Sequence, residues 1–388
     1  MKRRDFISMA AAAGASLSVS RVFATPQTGG GILPQLHARK TARDAFGKLL
    51  ILIELKGGND GLNTVIPFTD SRYYALRTHI AIPRNRGLAI DGRTALHPAM
   101  RELLPLWRDG QLAVVQGVGC GRDDASHFRS TEIWHTASRA DEYRRDGWLT
   151  RVAVQCGAVN GRFAAASFGS DEPGPFAQLA HRCGDEHSWS RVDDPDTLAH
   201  VGRPDVGEGA GDRVPGTTLD AAHAGVRLFR DSIAAALRTV DMMQPHMRGA
   251  IRVTLDGFDT HRNQLTRHAA LLAQLAGSCA TLREELVRRG RWHDTLVMTY
   301  SEFGRSAREN VDRGTEHGGA AAHFVMGGGV RGGVYGQPPD LTRLDADGRL
   351  PVEVDFRRLY ATALASFWKL DANAVLRDAV QPLPLMRV

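Results

Sequence analysis

Four nearly continuous aliphatic runs, Lys48 to Leu55, Leu112 to Val118, Ile251 to Leu255 and Thr295 to Tyr300, do most to limit what this chain can fold into. A strand that turns neither face to water belongs inside a sheet covered on both sides, and the parallel strands of such a sheet need long crossovers, usually helices. Helical periodicities lie between and after the runs. His97 to Arg108 stops at Gly110, and residues 218 to 244 carry Leu219, Ala222, Val226, Phe229, Ile233, Leu237 and Val240 on one stripe. Residues 265 to 289 repeat Leu265, Ala269, Leu272, Leu275, Cys279, Leu282 and Leu286 before Gly290, and 355 to 369 is amphipathic through Leu359, Leu364 and Phe367. This alternation predicts an α/β fold, a mostly parallel central sheet with helices on both faces. Residues 169 to 217 break the pattern. They are rich in Gly, Pro, Asp and His and poor in aliphatics, which predicts a flexible insert with only Phe176 to Arg182 helical in character.

The first residues address the chain rather than fold it. Lys2-Arg3-Arg4-Asp5-Phe6-Ile7 is a twin arginine followed by an Ala-rich, weakly apolar run, and Val22-Phe23-Ala24 fits a small-residue cleavage site. The expectation is a twin-arginine signal over residues 1 to 24, delivery by that export machinery to the periplasm or the cell exterior, and one domain over 25 to 388. Removing the signal takes away four cations and one acid, lowering the formal charge from +6 to +3. With no basic tract interleaved with aromatics, nucleic acid is excluded as a partner. No later segment approaches the ~18 consecutive apolar residues of a membrane span. The four cysteines, Cys120, Cys156, Cys183 and Cys279, have no zinc-ligand spacing. An oxidising compartment permits a pair, Cys156 and Cys183 being nearest in sequence, without requiring one.

Chemistry-bearing residues recur just beyond the strands. Ligands of open α/β sheets bind outside the carboxyl ends of the strands, so such residues meet in space although they are far apart in sequence. Gly57-Gly58-Asn59-Asp60-Gly61 follows the first run, Asp256-Gly257-Phe258-Asp259-Thr260-His261 the third, and Ser301-Glu302-Phe303-Gly304-Arg305 the fourth. Gly314-Thr315-Glu316-His317-Gly318 comes close behind. Asp60, Asp259, His261, Glu302 and His317 are therefore candidate ligands for divalent metal ions of the Zn, Mn, Mg or Ca kind. Four of them have a plainer alternative: Asp60 as a turn residue, Asp259 as a helix cap, Glu302 as a solvated side chain, His317 as a loop histidine. His323, at the start of a further strand, is a weaker candidate. Ser126-His127-Phe128-Arg129-Ser130 follows the second run and opens a helix, where Ser126 or Ser130 offers a nucleophilic hydroxyl or a simple cap. Arg129 and Arg305 offer guanidinium forks for an anionic ester. Gly327 to Gly332 satisfies GxGxxG but opens no helix, and GxSxG, HExxH, Walker A and Cys-x-Pro-x-Arg sequences are all missing.

Taken together, the twin arginine, Glu54-Leu55-Lys56-Gly57-Gly58-Asn59-Asp60-Gly61-Leu62-Asn63, Leu96-His97-Pro98, Ser126-His127-Phe128, Gly257-Phe258-Asp259-Thr260-His261, Ser301-Glu302-Phe303-Gly304-Arg305 and Gly314-Thr315-Glu316-His317-Gly318 resemble the exported bacterial family of the uncharacterised domain numbered 1501. That family is similar in fold to the alkaline phosphatase superfamily of phosphatases, phosphodiesterases, sulfatases and phosphoglycerate mutases. The resemblance implies Asp60, Ser126 or Ser130, Asp259 with His261, Glu302 and His317 as the ordered site. It also implies two departures. Phe303 stands where the superfamily has a histidine, and Glu316 where the family usually has Asp, the first of which weakens one of two metal sites.

Two functions follow as expectations. One is an exported, metal-dependent hydrolase of phosphate or sulfate esters, acting through a metal-activated serine or water on an anionic ester or surface polymer. The other is a non-catalytic binding or assembly protein on the same fold, acting on a surface polymer or partner. Convergence of the named acids and histidines favours the first, and dispersal favours the second. A cofactor-using oxidoreductase lacks any nucleotide fingerprint.

Overall fold

The computed structural model describes residues 47–121, 126–157, 163–183, 189–191, 218–244 and 246–387. The signal expected over 1 to 24 and most of the insert expected over 169 to 217 lie outside these residues. Nine strands form the main sheet: β1 (Leu49–Lys56), β2 (Leu112–Gly119), β3 (Phe163–Phe168), β4 (Trp189–Arg191), β5 (Arg248–Asp256), β6 (Thr295–Tyr300), β9 (Ala321–Met326), β10 (Gly333–Tyr335) and β11 (Val354–Asp355). Between β6 and β9, β7 (Arg305–Glu309) and β8 (Thr315–His317) pair as a separate antiparallel ribbon. The spatial order is β10-β2-β9-β6-β1-β5-β3-β4, with β11 also on β2. All neighbours in the main sheet are parallel except β9, which runs against both β2 and β6.

The aliphatic runs explain this arrangement. In β1, Leu50 and Leu52 face one core with Trp134, Trp148, Leu359, Leu364 and Phe367, while Leu49, Ile51, Ile53 and Leu55 face a second core with Phe229, Ile233, Leu272 and Leu282. The helices α2 (His127–Thr136) and α3 (Trp148–Gln155) cover the first face, and α4 (Thr218–Met242) and α5 (Gln264–Arg288) the second. Burying a Leu or Ile side chain is worth about 1.5–3 kcal/mol, so two-sided apolar strands draw helices onto both faces. The expected strands and long helices fall within one to three residues of these bounds, with two differences. His97 to Arg108 is a 3-10 turn, Pro98–Leu103, running into the short α-helix Leu104–Arg108, and residues 355 to 369 divide into Arg357–Ala361 and a π-helical stretch, Thr362–Trp368. In both places the local hydrogen bonding departs from the α pattern while the apolar face is kept. The GxGxxG segment is a turn between β9 and β10. Cys156 and Cys279 are free thiols. Among the described residues no helix is long and apolar enough to cross a membrane.

Register places the site. Lys56 at the end of β1 pairs with Asp256 at the end of β5, and Glu54 pairs with Tyr300 at the end of β6. Ala321, the first residue of the reversed strand β9, lies opposite Val118 near the end of β2. The loops after β1, β5 and β6 and the segment entering β9 therefore share one edge of the sheet, the carboxyl edge.

Candidate metal centre

The turn after β1 is held by the loops after β5 and β6. Gly57 and Gly58 have φ of 115° and 84°, values that side chains rarely adopt. A Cβ on Gly57 would stand 2.3 Å from the Asp259 nitrogen, and one on Gly58 2.4 Å from the Phe303 ring. Only glycine lets the three loops approach this closely. The Gly57 N–H donates to Glu302 Oε1 at 2.9 Å, and the Asn59 N–H donates to Ser301 Oγ at 2.9 Å.

Across these loops His127, at the start of α2, meets Asp259, His261 and His317. The Nε2 of His317 lies 3.1 Å from the Nε2 of His127 and 3.0 Å from the Nε2 of His261. Asp259 Oδ1 lies 3.0 Å from His261 Nε2, 3.4 Å from His317 Nε2 and 3.6 Å from His127 Nε2. His127, Asp259 and His317 form a group whose ligand atoms are all within 4.8 Å of one another, and His261 stands at its flank. Two carboxylates orient the rings: His127 Nδ1 lies 2.9 Å from Glu302 Oε1, and His261 Nδ1 lies 3.1 Å from Glu316 Oε2. With each Nδ1–H donated outward, the Nε2 lone pairs of these two rings turn toward the shared space, as in metal-bound histidines backed by carboxylates. Lone pairs facing one another at such distances repel unless a cation or proton lies among them. The donor set, imidazole nitrogens with one carboxylate, fits a borderline divalent ion such as zinc or manganese better than calcium or magnesium. Asp259 is half exposed and the three imidazoles about one-third exposed, so the cluster is open to solvent.

The electrostatics follow from the contacts. The hydrogen bond to Glu302 raises the pKa of His127 against the opposing effect of burial, with the charges of Glu302 and Asp259 adding to it. Burial opposes ionisation of Asp259, but its hydrogen bond and charge contact with Arg305 hold the carboxyl below its usual range.

Not every expected residue joins this group. Asp60 is wholly buried, its Oδ1 accepting from the Leu62 N–H at 3.2 Å as the cap of the short helix α1 (Gly61–Thr64), and its Oδ2 lying 2.6 Å from Arg77 Nη1. Gln264 Nε2 donates to the same Oδ2. The carboxylate expected as a ligand is thus committed to a guanidinium. Glu302 touches the cluster through His127, as support. Arg305 does not offer a free fork: Nε donates to Gly58 O at 2.8 Å, Nη1 to Thr315 O at 3.1 Å, and Nη2 to Gly57 O, to Phe258 O at 3.1 Å and to Asp259 Oδ1 at 2.6 Å. It ties the loops together and steadies Asp259. Arg129 is turned to Glu132 and the carbonyls of Ala140 and Glu142, stacked on Tyr143 with its guanidinium carbon 3.8 Å from the ring centre. Ser130 is buried a turn into α2, closed to any substrate. Ser126 is exposed at the N-cap of α2, next to His127, with no capping bond from its side chain. His323 is buried in β9 against the edge of Trp134, with no hydrogen-bond partner for either ring nitrogen, and burial pushes its pKa down to about 3. The residue that sequence reasoning passed over is His127, which stood in view beside Ser126 but was read only as its neighbour.

Residues 220–379 match the family described as Protein of unknown function (DUF1501). The DUF1501 match contains Asp259, His261, Glu302, Arg305 and His317, in agreement with the resemblance carried by the motifs. No curated protein matches the chain in sequence. Among solved structures the chain is similar to the C-terminal periplasmic domain of EcEptC from Escherichia coli, at 10% identity and TM-score 0.44, with 87% of each chain covered. It is similar to the PsFucS1 sulfatase from Pseudoalteromonas sp., at 10% identity and TM-score 0.40, covering 91% of this chain and 75% of that one. It is also similar to a protein in the alkaline phosphatase superfamily from Vibrio parahaemolyticus, at 10% identity and TM-score 0.37, covering 75% and 62%.

Proposed function

We propose that the protein is an exported, metal-dependent hydrolase of phosphate or sulfate esters. The observation that carries this reading is the convergence of His127 Nε2, His317 Nε2 and Asp259 Oδ1 within 4.8 Å at the carboxyl edge of the sheet, with Glu302 behind His127 and Glu316 behind the flanking His261. His127, Asp259 and His317 would hold a divalent ion, with His261 beside them as a fourth donor. Such an ion supplies Lewis acidity, stabilising charge on an ester oxygen and easing deprotonation of a hydroxyl or water nucleophile. Glu302 and Glu316 keep His127 and His261 in the tautomer that presents Nε2. Arg305 holds Asp259 at its place and keeps it ionised. Ser126, exposed and without a capping bond at the N-terminus of a ten-residue helix, would be the attacking hydroxyl, since that helix end favours developing negative charge. The openness of the cluster suits an anionic ester borne on a larger molecule, a surface polymer included. The twin-arginine signal would carry the folded chain outward, a route compatible with metal loading before export.

The test is hydrolysis of p-nitrophenyl phosphate and p-nitrophenyl sulfate by the mature protein, with zinc or manganese and with chelator, beside His317→Ala and Ser126→Ala. Turnover that needs metal and His317 supports the reading, and loss in Ser126→Ala assigns the nucleophile to serine rather than water. Bound metal with no turnover on either ester class would give way to the binding-protein alternative.

A further inference from the structure

We infer that this centre takes a single divalent ion and that Arg77 permanently occupies the second cationic position of the same sheet edge, beside Asp60. The inference rests on the metal-centre reading above and goes beyond it in stating the number of ions and what stands in for the other.

Two acids follow the neighbouring strands β1 and β5, and their surroundings differ in charge. Around Asp259, the carboxylates of Asp259, Glu302 and Glu316 and the guanidinium of Arg305 touch the imidazoles and leave two net negative charges, the charge of one divalent ion. Around Asp60 the balance is already zero. Arg77 is wholly buried, with Nη1 2.6 Å from Asp60 Oδ2 and 2.8 Å from Asn63 Oδ1, Nε donating to Ala307 O at 2.9 Å and Nη2 to Ser306 O at 2.9 Å. Its place is built by the backbone of β7 as well as by the acid. A divalent ion at Asp60 would have to stand beside this guanidinium or displace it, and an unpaired buried cation is strongly unfavourable. Phe303 closes another approach, its ring 4.8 Å from that of His127 and 4.6 Å from that of His317, so an apolar face lies against the ligand group where a further donor would be needed. The five residues read from the sequence as one ligand set thus divide into a cluster that stays negative despite Arg305 and one that Arg77 already neutralises.

The experiment is equilibrium loading of the full mature chain with zinc alone, then with manganese alone, followed by chelator-competed titration calorimetry and elemental analysis. Asp60→Asn and His317→Ala are compared in the same way. One equivalent in the wild type, one in Asp60→Asn, and at least 100-fold weaker binding in His317→Ala are expected. Two tightly bound equivalents in the wild type, or loss of the ion in a folded Asp60→Asn, overturn the inference. Should Asp60→Asn fail to fold, the wild-type stoichiometry decides alone. One equivalent without ester hydrolysis leaves the inference standing and removes the proposed function, whereas two equivalents with hydrolysis do the reverse. No bound metal in any form overturns both.

Discussion

Asp60 and Asp259 follow strands that pair along their whole length, yet the first is sealed in a neutral interior with both its oxygens bonded and the second is half exposed in a cluster short of positive charge. The comparison teaches that an acid beyond a strand becomes a ligand or a structural ion according to which cation the rest of the fold brings to it. Arg77 reaches Asp60 with Nη1, which it shares with Asn63, while Ala307 and Ser306 accept from Nε and Nη2, and the whole guanidinium is buried with its acid. Arg305 reaches Asp259 from the side, its other donors going to backbone carbonyls and its Nη1 also lying 3.4 Å from His261 Nε2, and three imidazoles surround the same half-exposed carboxylate. A closed cluster of this kind maintains the fold. An open one is available for chemistry.

The largest expected effect breaks the open cluster. Asp259→Asn or His317→Ala should abolish metal binding and metal-dependent turnover, and in His317→Ala the melting of the metal-free protein should be little changed, read by elemental analysis and thermal circular dichroism. If either variant still held its metal, the assignment of the open cluster would be lost. Next, Arg77→Met should destabilise the fold by about 3–5 kcal/mol, because it leaves Asp60 buried and unpaired. Urea unfolding measures this, and any folded fraction should still take up its ion, which keeps the two clusters separate.

Acid sharpens the contrast further. His97 and His268 are packed beside the Asp60 cluster, and burial, partly offset by the charge of Asp60, lowers their pKa to about 4 and about 3. Their folded state prefers the neutral ring, so below about pH 6.5 the unfolded chain binds protons that the folded chain refuses. Their contribution to stability is whole above that pH and is lost as pH falls, down to about 4 for His97 and about 3 for His268, by about 1.4 kcal/mol per pH unit for each histidine. Metal-free protein should therefore show a falling urea midpoint from pH 6.5 downward, reduced in slope by His268→Gln. An unchanged slope in that variant would mean that His268 is not the proton-refusing group.

Smaller effects separate the supports. Glu302→Gln should weaken metal binding about 10- to 100-fold, since it removes the charge behind His127. Glu316→Gln should cost less, under about tenfold, because Glu316 is largely exposed and its charge is screened by water. Equal losses in the two variants would show that burial does not rank these carboxylates.

Legibility in the sequence followed the range of the signal. The strands, the long helices and the carboxyl edge were readable because two-sided apolar runs and helical stripes are local patterns with known periods. Asp259, His261 and His317 were found for the same reason, as acid or imidazole just past a buried strand or between glycines. His127 had a signal of the same kind, an imidazole at the start of a helix after β2, but the adjacent serine drew the chemical reading. Arg77 had none. It follows an ordinary short helix, Ser71–Leu76, and no spacing announces that it will meet an acid 17 residues earlier and two carbonyls 229 and 230 residues later. Ligand and support were also indistinguishable at Glu302, because the difference is whether a carboxylate ends at the shared space or one imidazole behind it.

What the sequence determined by itself was the layered α/β architecture and the edge at which its polar residues collect, since burial of two-sided apolar strands permits little else. The division of those residues into a cation-filled cluster and a cation-seeking one was decided only by tertiary structure. Hydrogen bonds and ion pairs are settled within about 3 Å, and partners such as Glu302 and His127, 175 residues apart, reach that distance only through the packing of loops around Gly57, Gly58 and Arg305.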